Sequence, residues 1–418
     1  MKRRPILPLS TTRAGPVRHN EAKLRRELNI FDATAIDIGA IIGAGIFVVI
    51  GVVASVAGAG LIISMLIAGS IAYLTAMSYA ELSHRIPKEG GEYEFAYRVI
   101  SHEAGYLDGL LWSASAIVSG AVVSVGFASY FVLMAPSLPL KGVAVLVIIL
   151  MVIVNILGLK RSSLVNDALV VAKIAILLFF IFFGINQVNP QNFQNMYSFG
   201  WDGIIQGAGM IFFAFAGFGR VATIAEEVKE PTKTIPKAIM LALTVCTVIY
   251  FLTGFTAIGL LGSEALSRST APIAEAVSRA GSRYAVVLVA IGALAATSSV
   301  LLTEILGVSR IIYSMGRNRQ MPAFFTKLHR QFGTPYVSII VAGALMSLLA
   351  LFMNFRQIIE LSSFGLLGYY AITNLSAFML KRDEQGLHRY LHKSRAFIGL
   401  IACLALMVYL ASSLIAGI

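Results

Sequence analysis

Residues 41–47 read Ile-Ile-Gly-Ala-Gly-Ile-Phe, and residues 213–219 read Phe-Ala-Phe-Ala-Gly-Phe-Gly. Each run places glycines near the middle of a long apolar segment. A helix that opens inside a membrane exposes amide and carbonyl groups that lipid cannot bond, so such a break persists only where it is buried in protein or lines a cavity. Two breaks at corresponding positions of two halves are typical of the binding site of a secondary transporter.

The composition indicates a helical membrane protein. Of the 418 residues, 57% are hydrophobic and 13% are charged, whereas about a quarter of the residues in a soluble domain are charged. Apolar runs of about 20 residues recur, which is the length of helix that crosses the hydrocarbon core. We predict an all-α integral membrane protein with transmembrane helices at residues 31–57, 60–83, 104–134, 141–158, 163–186, 201–226, 234–261, 284–314, 335–354, 357–380 and 396–416.

The distribution of charge predicts the orientation in the membrane. The formal net charge is +12, and most of the lysines and arginines fall in the N-terminal tail or in the loops on the same side. The positive-inside rule therefore places the N-terminus in the cytoplasm and, after eleven crossings, the C-terminus outside. We expect the basic charge to contact anionic membrane lipid rather than nucleic acid.

Cysteine and histidine placement limits the chemistry of the membrane core. Cys246 and Cys403 both fall inside predicted spans, so we expect no disulfide framework. All six histidines fall in predicted cytoplasmic segments. We therefore expect no metal, no cofactor and no intramembrane enzyme.

The chain divides into four predicted parts. Residues 1–30 form a cytoplasmic tail, residues 31–186 a first five-helix repeat, residues 201–380 a second five-helix repeat, and residues 396–416 an additional transmembrane helix. Because five spans is an odd number, the second repeat has the opposite orientation in the membrane.

The first break offers backbone amides. Unwound N–H groups of Gly43, Ala44 and Gly45 at the positive start of a half-helix would hold a carboxylate. The alternative is a packing face of small residues, since glycine is frequent in membrane helices. The presence of a second break favours the binding interpretation.

The second break offers carbonyl groups. Opened carbonyls of Ala214 and Ala216 could accept hydrogen bonds from a protonated amine, and Phe213 could close over the ligand or provide a cation–π face. The alternative for Phe213 is a place in an aromatic core stripe.

Lys173 lies about ten residues from either end of its predicted span, or ~15 Å from each interface at 1.5 Å per residue. An ionisable side chain at this depth is costly and indicates a function. Burial lowers the affinity of an ammonium for its proton, so Lys173 could change charge during a cycle and act as a tethered, sodium-like cation. The alternative is a structural ion pair with a buried acid.

Several polar residues in the later spans leave alternatives open. Glu304 could pair with Lys173 or Arg220, or be neutral. The hydroxyl groups of residues 297–299 could face a cation or bond the preceding helical turn. Arg220 could line an inner vestibule or pair with Glu226 or Glu227.

Three runs give the chain a family resemblance over residues 31–416. Residues 39–47 and 212–217 resemble the first- and sixth-helix signatures of amino-acid permeases of the amino acid–polyamine–organocation superfamily. The motifs 226–231 and 235–239 extend the second signature, and residues 87–93 resemble the first cytoplasmic loop of that family. The resemblance implies an inverted five-plus-five fold of the leucine-transporter type, with the first and sixth helices unwound around an amino acid.

The resemblance also implies roles for individual residues. The amides of Ala44 and Gly45 would bind the substrate carboxylate, and the carbonyls of Ile41, Phe213 and Ala216 its amine. Lys173 is similar to the lysine that replaces sodium in proton-coupled members, where it would face the carbonyls of Gly39 and Ile42 and the region of Ser298 and Ser299.

Two features depart from the family pattern. Many members have an acid near Gly219, whereas this chain has Gly219 followed by Arg220. Members usually have a twelfth helix, and the predicted spans here number eleven, which leaves the oligomeric state open.

These observations predict a secondary active amino-acid transporter of the plasma or inner membrane, with proton-coupled uptake by alternating access. The alternatives are an obligate amino-acid exchanger and a receptor that binds amino acids without transporting them.

Overall fold

The computed structural model describes residues 28–86, 91–158, 163–380 and 393–416. Residues 1–27 of the predicted tail and residues 87–90 of the predicted loop motif lie outside these ranges. The α-helices within them are α1 (Ile30–Ile41), α2 (Ile50–Ala57), α3 (Leu61–Arg85), α4 (Gly91–Val99), α5 (His102–Met134), α6 (Leu140–Ile156), α7 (Ser163–Gly184), α8 (Gly200–Ile211), α9 (Pro231–Leu261), α10 (Ser263–Arg268), α11 (Pro272–Arg279), α12 (Arg283–Arg317), α13 (Tyr336–Phe352), α14 (Phe355–Met379) and α15 (Lys393–Ala416).

Helix starts follow local capping signals. The side chain of Asn29 accepts hydrogen bonds from the first turn of α1 in a capping box with Asp32. Ser101 and Ser282 cap α5 and α12 by accepting hydrogen bonds from backbone amides of their first turns, at 3.1 and 3.2 Å. Pro231 begins α9, where its missing N–H has no intrahelical partner to lose.

The fold is that of a multi-pass membrane protein. Among the described residues, seven helical segments are long and apolar enough to cross a membrane, and α6 and α13 are shorter apolar helices. On α6, Leu146, Ile149, Leu150 and Ile153 are each about half exposed and share one face, which is the pattern expected of a helix against lipid. The number of crossings and the division into two inverted repeats stay predictions.

The helices pack around the two segments that interrupt regular helix. Strong contacts join α5 to α12 and α14, and α3 to α9, while α1 lies against α9 and α7. The first interruption separates α1 from α2, and the second follows α8. Helices distant in the chain therefore surround both interruptions.

Candidate functional site

The first break separates α1 from α2. Ile42 leaves the helix with φ −74° and ψ 101°, and a π-helical turn resumes at Gly45 and leads into α2. Two buried tyrosines bond carbonyls at the break: Tyr250 Oη donates to the Ile41 carbonyl at 2.8 Å, and Tyr130 Oη to the Phe47 carbonyl at 2.6 Å. Protein groups thus satisfy backbone polarity that lipid could not.

The second break begins with a 3₁₀ turn at Phe212–Phe215 and ends at a 3₁₀ helix, Arg220–Glu227. Between them, Gly217 and Gly219 have φ angles of 101° and 85°, which residues with a side chain rarely adopt. A β-carbon on Gly219 would also lie 2.6 Å from the ring of Tyr79. Glycine is therefore required at both positions.

The two breaks touch each other. A β-carbon added at Gly45 would lie 2.4 Å from the Cα of Ala214, and one added at Gly43 would lie 2.7 Å from a methyl group of Val300 on α12. The backbones of the two breaks are in direct contact, with α12 against the first. Residues 41–45 and 213–216, predicted as the substrate site, are thus brought together.

The predicted amine ligands differ in their surroundings. The Ile41 carbonyl accepts the Tyr250 hydroxyl, and the Phe213 carbonyl accepts a hydrogen bond from the amide of Ala216 at 3.2 Å. Phe213 itself is buried. Ala216, one of the predicted substrate residues, lines a cavity.

This cavity lies beside the second break, on the side where α1 begins. It has a volume of about 40 Å³, which is enough to hold ordered water. Its wall includes residues 216–220 and residues of α3, α4, α5, α12 and α14. Polar groups on the wall include Tyr79, Glu92, Ser115, Arg220 and Glu304.

An ion pair lies on the wall of this cavity. Nη2 of Arg220 lies 3.3 Å from Oε1 of Glu304, and the guanidinium carbon lies 5.6 Å from the ring centre of Trp112. The side chains of Arg220 and Glu304 are 21% and 13% exposed, so both are largely withdrawn from solvent. Among the alternatives for Glu304, the structure has the pair with Arg220. The side chain of Glu226, a predicted partner of Arg220, lies outside the described side chains.

Lys173 contacts the helix before the first break. Its side chain is 1% exposed, and Nζ donates a hydrogen bond to the carbonyl of Gly39 at 2.9 Å. That carbonyl lies in the last turn of α1, where the helix dipole favours a positive charge. The ammonium group therefore has both a hydrogen-bond acceptor and a favourable field.

The other predicted coupling residues are arranged around α1 and α12. The amide of Ile42 still bonds the Ile38 carbonyl at 2.9 Å. The hydroxyl of Ser298 bonds the Leu294 carbonyl of its own helix at 2.7 Å, the alternative that the sequence left open for it. Ser299 is buried on the same helix.

Asp37 is a site residue that the sequence analysis missed. It is fully buried, and Oδ1 accepts a hydrogen bond from the amide of Val221 at 2.9 Å. Asp37 thereby ties α1 to the first turn of the 3₁₀ helix after the second break. The sequence signal that could have identified Asp37 is the presence of an acid within the apolar run 31–57.

A second tie joins the same two elements at their ends. The amide of Leu28 donates to the Glu227 carbonyl at 3.1 Å, and the amide of Lys229 donates to the Leu28 carbonyl at 2.9 Å. The segment leading into α1 therefore pairs with the chain that leaves the second break.

Within the described ranges, no group of three or more histidines, cysteines or acids could hold a metal ion.

Comparison with known proteins identifies related sequences along nearly the whole chain. The profile of the family described as "Amino acid permease" matches residues 28–416. An uncharacterized transporter of Mycobacterium tuberculosis (strain ATCC 25618 / H37Rv) is 36% identical over 400 residues, which are 94% of this chain and 88% of the relative. A branched-chain amino acid permease of Bacillus subtilis (strain 168) is 31% identical over 389 residues, or 88% and 84% of the two chains. A methylthioribose transporter of the same bacterium is 31% identical over 396 residues, or 90% and 85%.

Proposed function

Because the chain belongs to the amino acid permease family, we propose that it takes up amino acids by proton-coupled alternating access. The family and the relatives are transporters rather than enzymes. The names of these relatives include branched-chain amino acids and methylthioribose, so we infer the cargo of this chain from its own site.

The observation that carries the proposal is the bond from Lys173 to α1. An ammonium on the Gly39 carbonyl makes a charge-assisted hydrogen bond at 2.9 Å, which is about twice as strong as a neutral one. If Lys173 loses its proton, this hold on the last turn of α1 weakens. A proton taken up and released at Lys173 would therefore bias the position of the helix that ends at the first break.

The substrate would bind at the two breaks. Ala44 and Gly45 would donate amides to its carboxylate, and the carbonyls of Ile41, Phe213 and Ala216 would accept its ammonium. A carbonyl oxygen has two lone pairs, so the existing bonds to Ile41 and Phe213 leave one acceptor position on each. Because Gly45 is in contact with Ala214, the breaks must move apart to admit a ligand between them.

Alternating access follows from which elements are tied together. Asp37 and the Leu28 backbone bind α1 to the chain after the second break. We propose that this pair moves as one unit against the remaining helices, alternately closing and opening the cavity. Phe213, at the edge of the second break, would close over the bound substrate.

The same site could support exchange. A lysine that stays charged throughout the cycle would favour exchange of one amino acid for another without net proton movement. A receptor would bind amino acids here without counterflow. Uptake by purified protein distinguishes these functions.

We propose a plasma or inner membrane location with the N-terminus in the cytoplasm, supported by the positive charge of the tail and its adjoining loops. In this orientation the cavity lies on the cytoplasmic side of the breaks. The inverted repeats at residues 31–186 and 201–380 belong to the same proposal.

The test is uptake of amino acids by proteoliposomes with an imposed pH gradient, after a thermal-shift screen of the twenty amino acids has chosen the ligand. Wild-type protein should accumulate the ligand when the outside is acidic. Lys173→Ala should abolish this accumulation while retaining binding. Lys233→Ala is the matched control, since that lysine is 72% exposed and pairs with Glu230 at the surface.

The outcomes separate the alternatives. Uptake that is unchanged when the gradient is collapsed, but requires internal amino acid, would replace symport with exchange. Binding without counterflow would indicate a receptor. Normal proton-driven accumulation by Lys173→Ala would remove this lysine from the mechanism.

A further inference from the structure

The cavity beside the second break contains more polar chemistry than the binding of an amino acid's common atoms requires. The amide and carbonyl groups proposed for those atoms belong to the breaks. The cavity adds the Arg220–Glu304 pair and the buried hydroxyl of Tyr79. These groups face the space next to Ala216, where the side chain of a bound amino acid would extend.

The charges on the cavity wall balance. Arg220 and Glu304 form a neutral pair. Burial, with a smaller contribution from Glu304, raises the pKa of Glu92 against the opposing effect of Arg220, which favours the neutral acid. An extra charge on a ligand would therefore be uncompensated in a site largely withdrawn from water, which is unfavourable.

A neutral polar group can use both members of the pair. A guanidinium has five N–H donors and a carboxylate has about four acceptor positions, so an ion pair can bond a further group on each side. A carboxamide presents one carbonyl acceptor and an NH₂ donor side by side, which is the complement of a guanidinium next to a carboxylate.

We propose that this cavity is the side-chain end of the substrate site and that Arg220 and Glu304 select amino acids whose side chains end in a carboxamide, namely glutamine and asparagine. The inference rests on the proposed function. The carboxamide oxygen accepts from Arg220, and its NH₂ group donates to Glu304. The hydroxyl of Tyr79 provides a further partner, and Trp112 and Leu366 form the apolar wall along the methylene groups.

The experiment measures uptake and competition in proteoliposomes of the full chain with glutamine, asparagine, leucine, glutamate and lysine. Wild-type protein should prefer glutamine or asparagine over the other three by roughly 10- to 100-fold, the effect of one or two hydrogen bonds to charged groups. Leucine lacks the polar group, while glutamate and lysine add a charge.

Neutral variants should change this preference in opposite directions. Glu304→Gln removes the acid that pairs with Arg220 at the cavity and should shift selectivity toward glutamate. Arg220→Gln leaves the Glu304 charge and should shift it toward lysine. Arg356→Gln is the matched control. It removes an arginine whose Nε lies 3.0 Å from Oε1 of Glu360, and this pair is not part of the cavity wall. The variant should leave the ranking of the five amino acids unchanged.

Each outcome bears on the inference separately from the transport function. If leucine, glutamate or lysine is the preferred substrate of the wild type, the carboxamide assignment is wrong while amino-acid transport stands. An unchanged ranking in both Arg220→Gln and Glu304→Gln would also overturn it. If either variant fails to fold, the wild-type ranking still decides. Absence of transport and binding for every amino acid would refute the proposed function, and this inference with it.

Discussion

Replacing Gly45 by alanine tests the contact between the two breaks, on which the site depends. The added methyl carbon would lie 2.4 Å from the Cα of Ala214 and 2.5 Å from its Cβ, whereas carbon atoms in contact prefer separations of about 3.5–4.0 Å. The two backbones must therefore separate by roughly 1 Å. Overpacking of this kind costs about 1–3 kcal/mol, and we expect the upper part of that range because main chain rather than a flexible side chain has to move.

The assay combines an unfolding midpoint in detergent with the initial rate of amino-acid uptake. Gly45→Ala should lower both, since the amides proposed to bind the carboxylate move with the backbone. Gly368→Ala is the matched control, because a β-carbon there would meet its nearest neighbour, Leu111, at an ordinary 3.5 Å. Replacing a glycine inside a helix by alanine contributes about 0.5–1 kcal/mol of stability, so the control should be as stable as wild type or more so.

The result that refutes the reasoning is a Gly45→Ala protein with a wild-type midpoint and a wild-type uptake rate. It would mean that the breaks are not in backbone contact. Equal losses in Gly45→Ala and Gly368→Ala would instead mean that the protein is sensitive to any larger residue, and the contact between the breaks would then have no special role.

Three further expectations follow from buried groups. Asp37→Ala leaves the Val221 amide without its acceptor and should cost about 1–3 kcal/mol in denaturant unfolding, whereas Asp37→Asn keeps an acceptor oxygen and should lose less; equal losses would contradict that bond. Burial raises the pKa of Glu92, so its stabilising contribution is complete below the ordinary pKa of a glutamate and is lost as pH rises through the folded-state value. Relative to wild type, the unfolding temperature of Glu92→Gln should therefore rise as pH increases above about 4.3, the ordinary pKa of a glutamate, and a constant difference would contradict this. Cys246 and Cys403 are fully buried, so a maleimide should label them only after denaturation; rapid labelling of the folded protein would contradict their burial.

The sequence located the breaks because their cause is local. Glycines in residues 41–47 and 213–219 interrupt runs that are otherwise long enough to form continuous helix, and the structure interrupts regular helix in both. The family resemblance, which was carried by the same runs, is confirmed by the match over residues 28–416. Lys173 was identifiable for a similar reason, since its depth in an apolar run is visible without any partner.

The cavity could not be predicted because its wall is assembled from distant parts of the chain. Arg220 and Glu304 are 84 residues apart, and spacing along the sequence allowed Glu304 to pair with Lys173 equally well. The partner of the Ser298 hydroxyl could not be predicted for the same reason. Whether this hydroxyl faces a cation or bonds its own helix depends on the neighbouring helix. Helix packing decides such alternatives, and one sequence contains no direct record of it.

The arrangement of α1 suggests how the proposed proton site and the proposed substrate site would influence each other without sharing a residue. Lys173 holds the Gly39 carbonyl of α1. The next residue, Ala40, lies against Gly217 so closely that a β-carbon on that glycine would be 2.9 Å from the Ala40 carbonyl. Asp37, one turn earlier, holds the amide of Val221. A change of charge at Lys173 would therefore act on α1, and α1 contacts the second break at Gly217 and at Val221, on either side of Gly219. Since packed elements move between discrete arrangements rather than deforming gradually, a shift of α1 would carry the cavity wall at Arg220 with it, and a ligand at that wall would in turn alter the energy of the bond at Lys173.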